Sequence, residues 1–181
     1  MKLIPFAIAD VLLIEPTVFG DERGFFFESF NEARLAAALG RSVRFVQDNH
    51  SLSMRGVLRG LHYQLRQPQA KLVRVVAGEV FDVAVDLRRS SPTFGRWVGA
   101  VLSAENKRQM WIPEGFAHGF SVIGAAAEVL YKASDYWAPE HERCIAWNDP
   151  ALGIDWMLHG APILSEKDRR GLGLHEAEVF E

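Results

Sequence analysis

The stretch Lys71–Arg88, "KLVRVVAGEVFDVAVDLR", decides the fold. Its second half alternates so that Phe81, Val83, Val85 and Leu87 fall on one face of a β-strand. Gly78-Glu79 in its middle predicts a turn that divides the stretch into two strands. The residues just before it, "LRGLHYQLRQPQA" (Leu58–Ala70), also begin as strand, yet they carry Arg59 and His62, and Lys71 follows directly. Charged groups seldom enter a core unless they are paired or used. The edge of this sheet therefore raises a question of function.

Working outward, "TFGRWVGAVLS" (Thr93–Ser103), "RQMWIPEGFAHGFSVIG" (Arg108–Gly124) and "AEVLYKASDYWAP" (Ala127–Pro139) repeat the strand pattern between Gly, Pro, Asn and Ser residues. Many short strands at close spacing predict a mainly β fold, an antiparallel sandwich or barrel such as a jelly roll, with a few short helices. One helix is expected in "FNEARLAAALGRS" (Phe30–Ser42), with Asn31 as N-cap and Gly40 as the stop. A second, short one should open at Ser165. No repeat or linker divides the 181 residues, so the expectation is one domain, with residues 171–181 as a loosely packed tail.

Composition narrows the function classes. Hydrophobic residues at 49% and charged ones at 24% are the balance of a soluble globular protein. A formal charge of −3 argues against a broad basic surface for nucleic acid. No apolar run is long enough for a membrane span, and Pro5 and Asp10 interrupt the first apolar stretch, which argues against a signal peptide. Cys144 is the only cysteine, excluding an intramolecular disulfide and a multi-cysteine zinc site. A cytoplasmic protein is expected.

Several residue types could carry chemistry. In "GLHYQ", Gly60, His62 and Gln64 share a face, and a hairpin through the polar "LRQPQA" would bring Lys71 across from His62. A neighbouring lysine favours the neutral imidazole, the form that accepts a proton. The plainer alternative is a core histidine with a satisfied hydrogen bond and a surface lysine. Arg59 has the wrong parity for that face unless Gly60 permits a bulge. Pro113 and Gly115 build a turn that delivers His118 into the next strand. Asp168 either caps the helix opened by Ser165 or orients His62. Tyr131, on an apolar strand, is either a core residue or a general acid.

The segments around His62 and His118 resemble the two motifs of the cupin superfamily, whose metal-binding members supply a His-x-His pair, a Glu and a further His. Here Gln64 replaces one imidazole and Lys71 lies near the place of the acid, so no metal is expected. More closely, the sequence resembles the dTDP-4-dehydrorhamnose 3,5-epimerase family, a metal-free cupin. The resemblance runs through "DERGFFFESF", "FVQDNHSLS", "GVLRGLHYQ", "QAKLVRVVAGEVFDVAVDLR", "WIPEGFAHGF", "YWAPEHERCIAWNDP" and "LSEKD", in family order along nearly the whole chain.

What the resemblance implies is a reaction. Residues matching the family's base, its orienting carboxylate and its acid are His62, Asp168 and Tyr131, with Lys71 beside the C4 oxygen of a dTDP-4-keto-6-deoxy sugar. Implied substrate contacts are Arg23, Glu28, Gln47, Asn49, Arg59, His118, Glu142 and Lys167, with Phe19 near the thymine. The Phe19–Glu28 region is implied to complete the partner's site in a homodimer. The implied reaction inverts C3 and C5 in dTDP-L-rhamnose biosynthesis, without a cofactor. One departure is Trp137, where a second tyrosine after Tyr136 is expected; it touches the stacking contact, not the base or acid. The rivals are an epimerase inverting one carbon, a metal-dependent cupin, and a sugar-nucleotide binding protein without catalysis.

Overall fold

In the computed structural model, which describes residues 1–181, Lys71–Asp86 is one continuous strand rather than the two expected. The reason lies in its neighbour. Residues on both sides of Gly78 pair with the same long strand, which is irregular at the same level: Val80 pairs with Val122, but Gly78 with Ala127. The ladder thus bends and continues instead of reversing. Gly78 has φ +71°, and a Cβ there would collide with the Ala126 carbonyl.

The chain opens with hairpin β1 (Lys2–Pro5) and β2 (Leu12–Glu15), then the small hairpin β3 (Phe19–Asp21) and β4 (Gly24–Phe26). Helix α1 (Glu32–Leu39) follows, then β5 (Gln47–Met54), β6 (Leu58–Gln64), β7 (Lys71–Asp86) and β8 (Trp97–Ser103). β9 (Gln109–Ile112) and β10 (Phe116–Ala133) lead to a 3-10 turn at Pro139–His141, β11 (Glu142–Cys144) and α2 (Glu166–Arg169). Both helices begin as the sequence predicts: the Asn31 side chain accepts from the Arg34 N–H at 3.0 Å, and Ser165 forms a capping box with Asp168.

The main sheet has the order β1-β2-β9-β7-β10-β6-β11, with β5 on β10 and β8 on β7. β7 and β10 each serve two groups of partners. The first half of β7 and the second half of β10 pair with β9 and β5, and their other halves with β8 and β6. The bends fold the antiparallel sheet into the expected cupin-like jelly roll. Val73, Val75, Val80, Ala84, Phe116 and Phe120 fill its interior. The alternate residues Phe81, Val83, Val85 and Leu87 pack on the other face with Leu61, Tyr63 and Trp156.

Two expectations are corrected here. β6 and β7 do not form a hairpin; β10 runs between them, and His118 pairs with His62 on one side and Ala84 on the other. "LRQPQA" is therefore a connection that skips a strand, as jelly-roll topology requires. The segment 171–181 is not a loose tail. Leu174, Ala177 and Val179 are buried on the second face of the sheet, the Phe180 N–H donates to Leu87 at 3.1 Å, and the Tyr63 hydroxyl donates to the Glu178 carbonyl. That face would otherwise expose Leu87 and its neighbours to water.

The bulge at Gly60 is present. His118 pairs with His62 but Phe120 with Arg59, so β6 carries one more residue than β10 over the same step. Gly60 has φ +126°, and a Cβ there would lie 2.5 Å from the Gly119 Cα and 2.9 Å from the His118 carbonyl oxygen. Gly60→Ala is therefore expected to destabilise the fold by about 3 kcal/mol. Thermal unfolding should read this as a Tm lower by roughly 6–12 °C; an unchanged Tm would contradict the account of the bulge.

Candidate active site

The bulge turns Arg59 and His62 toward the same cavity, of about 390 Å³, at the polar end of the jelly-roll interior. α2 places Asp168 behind His62. One oxygen of this carboxylate, Oδ2, accepts from the Ser165 hydroxyl at 2.6 Å and completes the cap. The other, Oδ1, lies 2.6 Å from His62 Nε2 and accepts from the Gly60 N–H at 3.2 Å. The two roles expected for Asp168 as alternatives are both present, one on each oxygen.

The electrostatics fix the state of this pair. Burial pushes the Asp168 carboxyl up, but hydrogen bonds from His62, Ser165 and Gly60 outweigh it and hold it at about 2. An ionised carboxylate only accepts, so Nε2 carries the imidazole hydrogen and Nδ1 is the basic nitrogen. Burial pulls the His62 pKa below its ordinary value; Asp168 opposes this, and Lys167 and Lys71 add to it. The result is a neutral imidazole held in one tautomer.

Lys71 opens β7 and is buried. Burial lowers its pKa to about 8, with Asp82 and Glu142 resisting and Lys167 assisting. Its Nζ lies 5.8 Å from the centre of the Tyr131 ring. Tyr131 projects from β10, where burial and then Glu142 raise its pKa while Arg59 opposes them. The phenol therefore keeps its proton.

His118 brings a residue that sequence reasoning missed. Its Nε2 lies 2.8 Å from Oδ1 of Asp82, a carboxylate with no solvent exposure whose Oδ2 has no hydrogen-bond partner. A carboxylate buried in this way needs a nearby positive charge, and Lys71 feels it. The signal was in "VFDVAVD": Asp82 shares the inward parity of Val80 and Ala84, where an acid is costly.

The other expected residues divide into two groups. Gln47, Asn49, Glu142 and Lys167 line the same cavity as Arg59, His62, Lys71, His118 and Tyr131, and Trp137 stands at its wall. Lys167 and Glu142 are paired at 2.8 Å, Arg59 Nε donates to Ser53 at 2.9 Å, and Gln47 accepts from the Trp137 N–H at 3.0 Å. Phe19, Arg23 and Glu28 lie outside it. Phe19 is 63% exposed, Arg23 pairs with Asp21 in the β3–β4 turn, and Glu28 pairs with Arg34 of α1. Gln64, the position of the missing cupin ligand, spends its side chain on the Gln67 and Tyr136 carbonyls and the Ala138 N–H. Lys71 lines the cavity with a cation, where a cupin metal site would need an anionic or neutral donor.

Residues 5–176 match the family described as dTDP-4-dehydrorhamnose 3,5-epimerase. The chain belongs to this family. A curated dTDP-4-dehydrorhamnose 3,5-epimerase from Pseudomonas aeruginosa is 68% identical over 180 residues, 99% of each chain. One from Shigella flexneri is 59% identical over 181 residues, again 99% of each. Among solved structures, a dTDP-6-deoxy-D-glucose-3,5-epimerase from Legionella pneumophila in complex with dTDP-4-keto-L-rhamnose superposes with a TM-score of 0.95 at 56% identity, covering 98% of this chain and 94% of that one. As a dTDP-4-dehydrorhamnose 3,5-epimerase family member, the chain is an isomerase of sugar nucleotides.

Proposed function

We propose that this protein inverts C3 and C5 of dTDP-4-dehydro-6-deoxy-D-glucose to give dTDP-4-dehydro-L-rhamnose. The observation that carries the reading is the oriented, neutral His62 sharing a cavity with protonated Tyr131 and buried Lys71. Hydrogens on C3 and C5 are both α to the C4 ketone and leave as protons. His62 Nδ1 takes the proton, and Asp168 stabilises the imidazolium that forms. Lys71, itself buried, supplies positive charge where the enolate oxygen develops. Tyr131 returns a proton from the opposite face. Asp82 positions His118 and helps keep Lys71 charged. Proton transfer beside an existing ketone calls for no redox group.

Arg59 and Lys167 give the cavity cationic donors suited to a diphosphate. Arg23, Glu28 and Phe19 fit the reading through a second copy of the chain: their hairpin is exposed, with Phe19, Phe25 and Phe26 all turned outward, and a homodimer would seat it at the partner's cavity. No helix is long and apolar enough to cross a membrane. A cytoplasmic setting suits the free thiol of Cys144.

The test is incubation with dTDP-4-keto-6-deoxy-D-glucose in D₂O, with deuterium followed at C3 and C5 by NMR. Deuterium at both carbons, with conversion to the L-lyxo sugar, is expected. Deuterium at one carbon alone would make the protein a single-carbon epimerase. None at either, with binding intact, would overturn the reading.

A further inference from the structure

We propose that His62, Cys144 and Asp168 form a binding site for a thiophilic divalent cation, Zn²⁺ or Cd²⁺, and that filling it disables the base. The binding half stands on geometry alone; the inhibitory half rests on the proposed function. Three separate elements bring the ligands together: β6 supplies His62, its antiparallel neighbour β11 places Cys144 directly opposite in register, and α2 supplies Asp168. The imidazole nitrogen, the thiol sulfur and a carboxylate oxygen all lie within 4.8 Å of one another. Imidazole, thiolate and carboxylate are the three side-chain donors that Zn²⁺ takes in tetrahedral sites, with bonds of about 2.0–2.3 Å, so neighbouring donors end roughly 3–4 Å apart. Closing the cluster needs the thiol to give up its bond to the Ile145 carbonyl at 3.5 Å, and His62 Nε2 and Asp168 Oδ1, now 2.6 Å apart, to exchange their hydrogen bond for the metal and part by about 0.5–1 Å.

The carboxylate ligand is already held in place, while burial, and then Asp168, push the Cys144 thiol up to about 12, so the thiolate forms only with the ion's charge beside it. Gly60 N–H and Ser165 already fix the Asp168 carboxylate, as outer partners do around metal ligands. Cys144 lines a second cavity that shares Glu142 and Lys167 with the cavity lined by His62, so the cluster lies between two solvent-connected spaces. Soft thiolate with imidazole selects Zn²⁺ and Cd²⁺ over Mg²⁺.

The proton balance explains the inhibition. The metal takes the sulfur as thiolate and one proton leaves to solvent. It takes Nε2 as well, so the imidazole hydrogen must sit on Nδ1. His62 then has no lone pair to offer the substrate, and Asp168 no longer stabilises an imidazolium.

Metal-free protein titrated with Cd²⁺ should develop the ultraviolet thiolate-to-cadmium charge-transfer band, saturating at one equivalent per chain. Mg²⁺ should give none. The band should vanish in Cys144→Ser and Cys144→Ala and be weakened in His62→Asn. In D₂O, Zn²⁺ should stop exchange by the native protein, while both cysteine variants keep their basal exchange and need roughly 10–100-fold more Zn²⁺ for the same inhibition. No band in the native protein, or an undiminished one in His62→Asn, would overturn the site. A band without loss of exchange would overturn the inhibitory half. A band in a protein that exchanges nothing even without metal would uphold the site and sink the proposed function instead.

Discussion

Replacing His62 with asparagine is expected to lower kcat by roughly 10²–10⁴-fold, the usual worth of a positioned base. Asparagine keeps the polarity and nearly the size of the imidazole near Asp168, so the fold and the binding of dTDP should change little. Deuterium should disappear from both C3 and C5, because one base facing one side of the ring serves both carbons. Exchange persisting at either carbon would mean that a second group abstracts that proton. Asp168→Asn should act in the same direction through another route. Its amide can no longer accept on both oxygens, so the tautomer held by the 2.6 Å bond is lost, together with about 1 kcal/mol from the weakened cap.

Lys71→Met is expected to lower kcat by roughly 10²–10³-fold, as the loss of an oxyanion-stabilising charge does. The pH profile supplies the sharper test. Lys71 is protonated below its pKa of about 8, so the charge that stabilises the enolate is present there and fades as pH rises through that value. His62 has its pKa pulled down, so its neutral form persists to lower pH than an ordinary histidine allows. Activity should thus form a plateau whose basic limb lies near pH 8. Asp82→Asn removes the buried carboxylate that favours the charged lysine, and the basic limb should move to lower pH. A limb unmoved by Asp82→Asn would separate Asp82 from Lys71.

What the sequence revealed and what it hid follow from the range of the interactions. The period-two alternation of Phe81, Val83, Val85 and Leu87 read their shared face correctly, because side-chain direction along a strand is local. Asn31, Gly40 and Ser165 marked their helices for the same reason. The strand neighbours were not legible. "LRQPQA" has turn composition whether it reverses a chain into a hairpin or carries it past another strand, and β10, which begins 46 residues after Ala70, settles the difference. Parity alone does not place Arg59; the bulge that Gly60 permits does. The family resemblance supplied the grouping of His62, Lys71, Tyr131 and Asp168, which no spacing could give, since His62 and Asp168 are 106 residues apart. Asp82 is hidden in the sequence by the apolar pattern of the strand that holds it.

The double use of Asp168 couples two properties that are usually independent. α2 has four residues, far fewer than the roughly 12–15 that hold a helix together in water, so its order comes from the cap, from the bonds to Gly60 and His62, and from the Lys167–Glu142 pair. Any opening of that one turn withdraws the carboxylate and frees the imidazole to change tautomer, while β7 and β10 stay paired. Catalytic competence is then governed by a local equilibrium with its own small free energy, lying below that of the whole fold. Warming should silence the enzyme, reversibly, while the jelly roll is still intact.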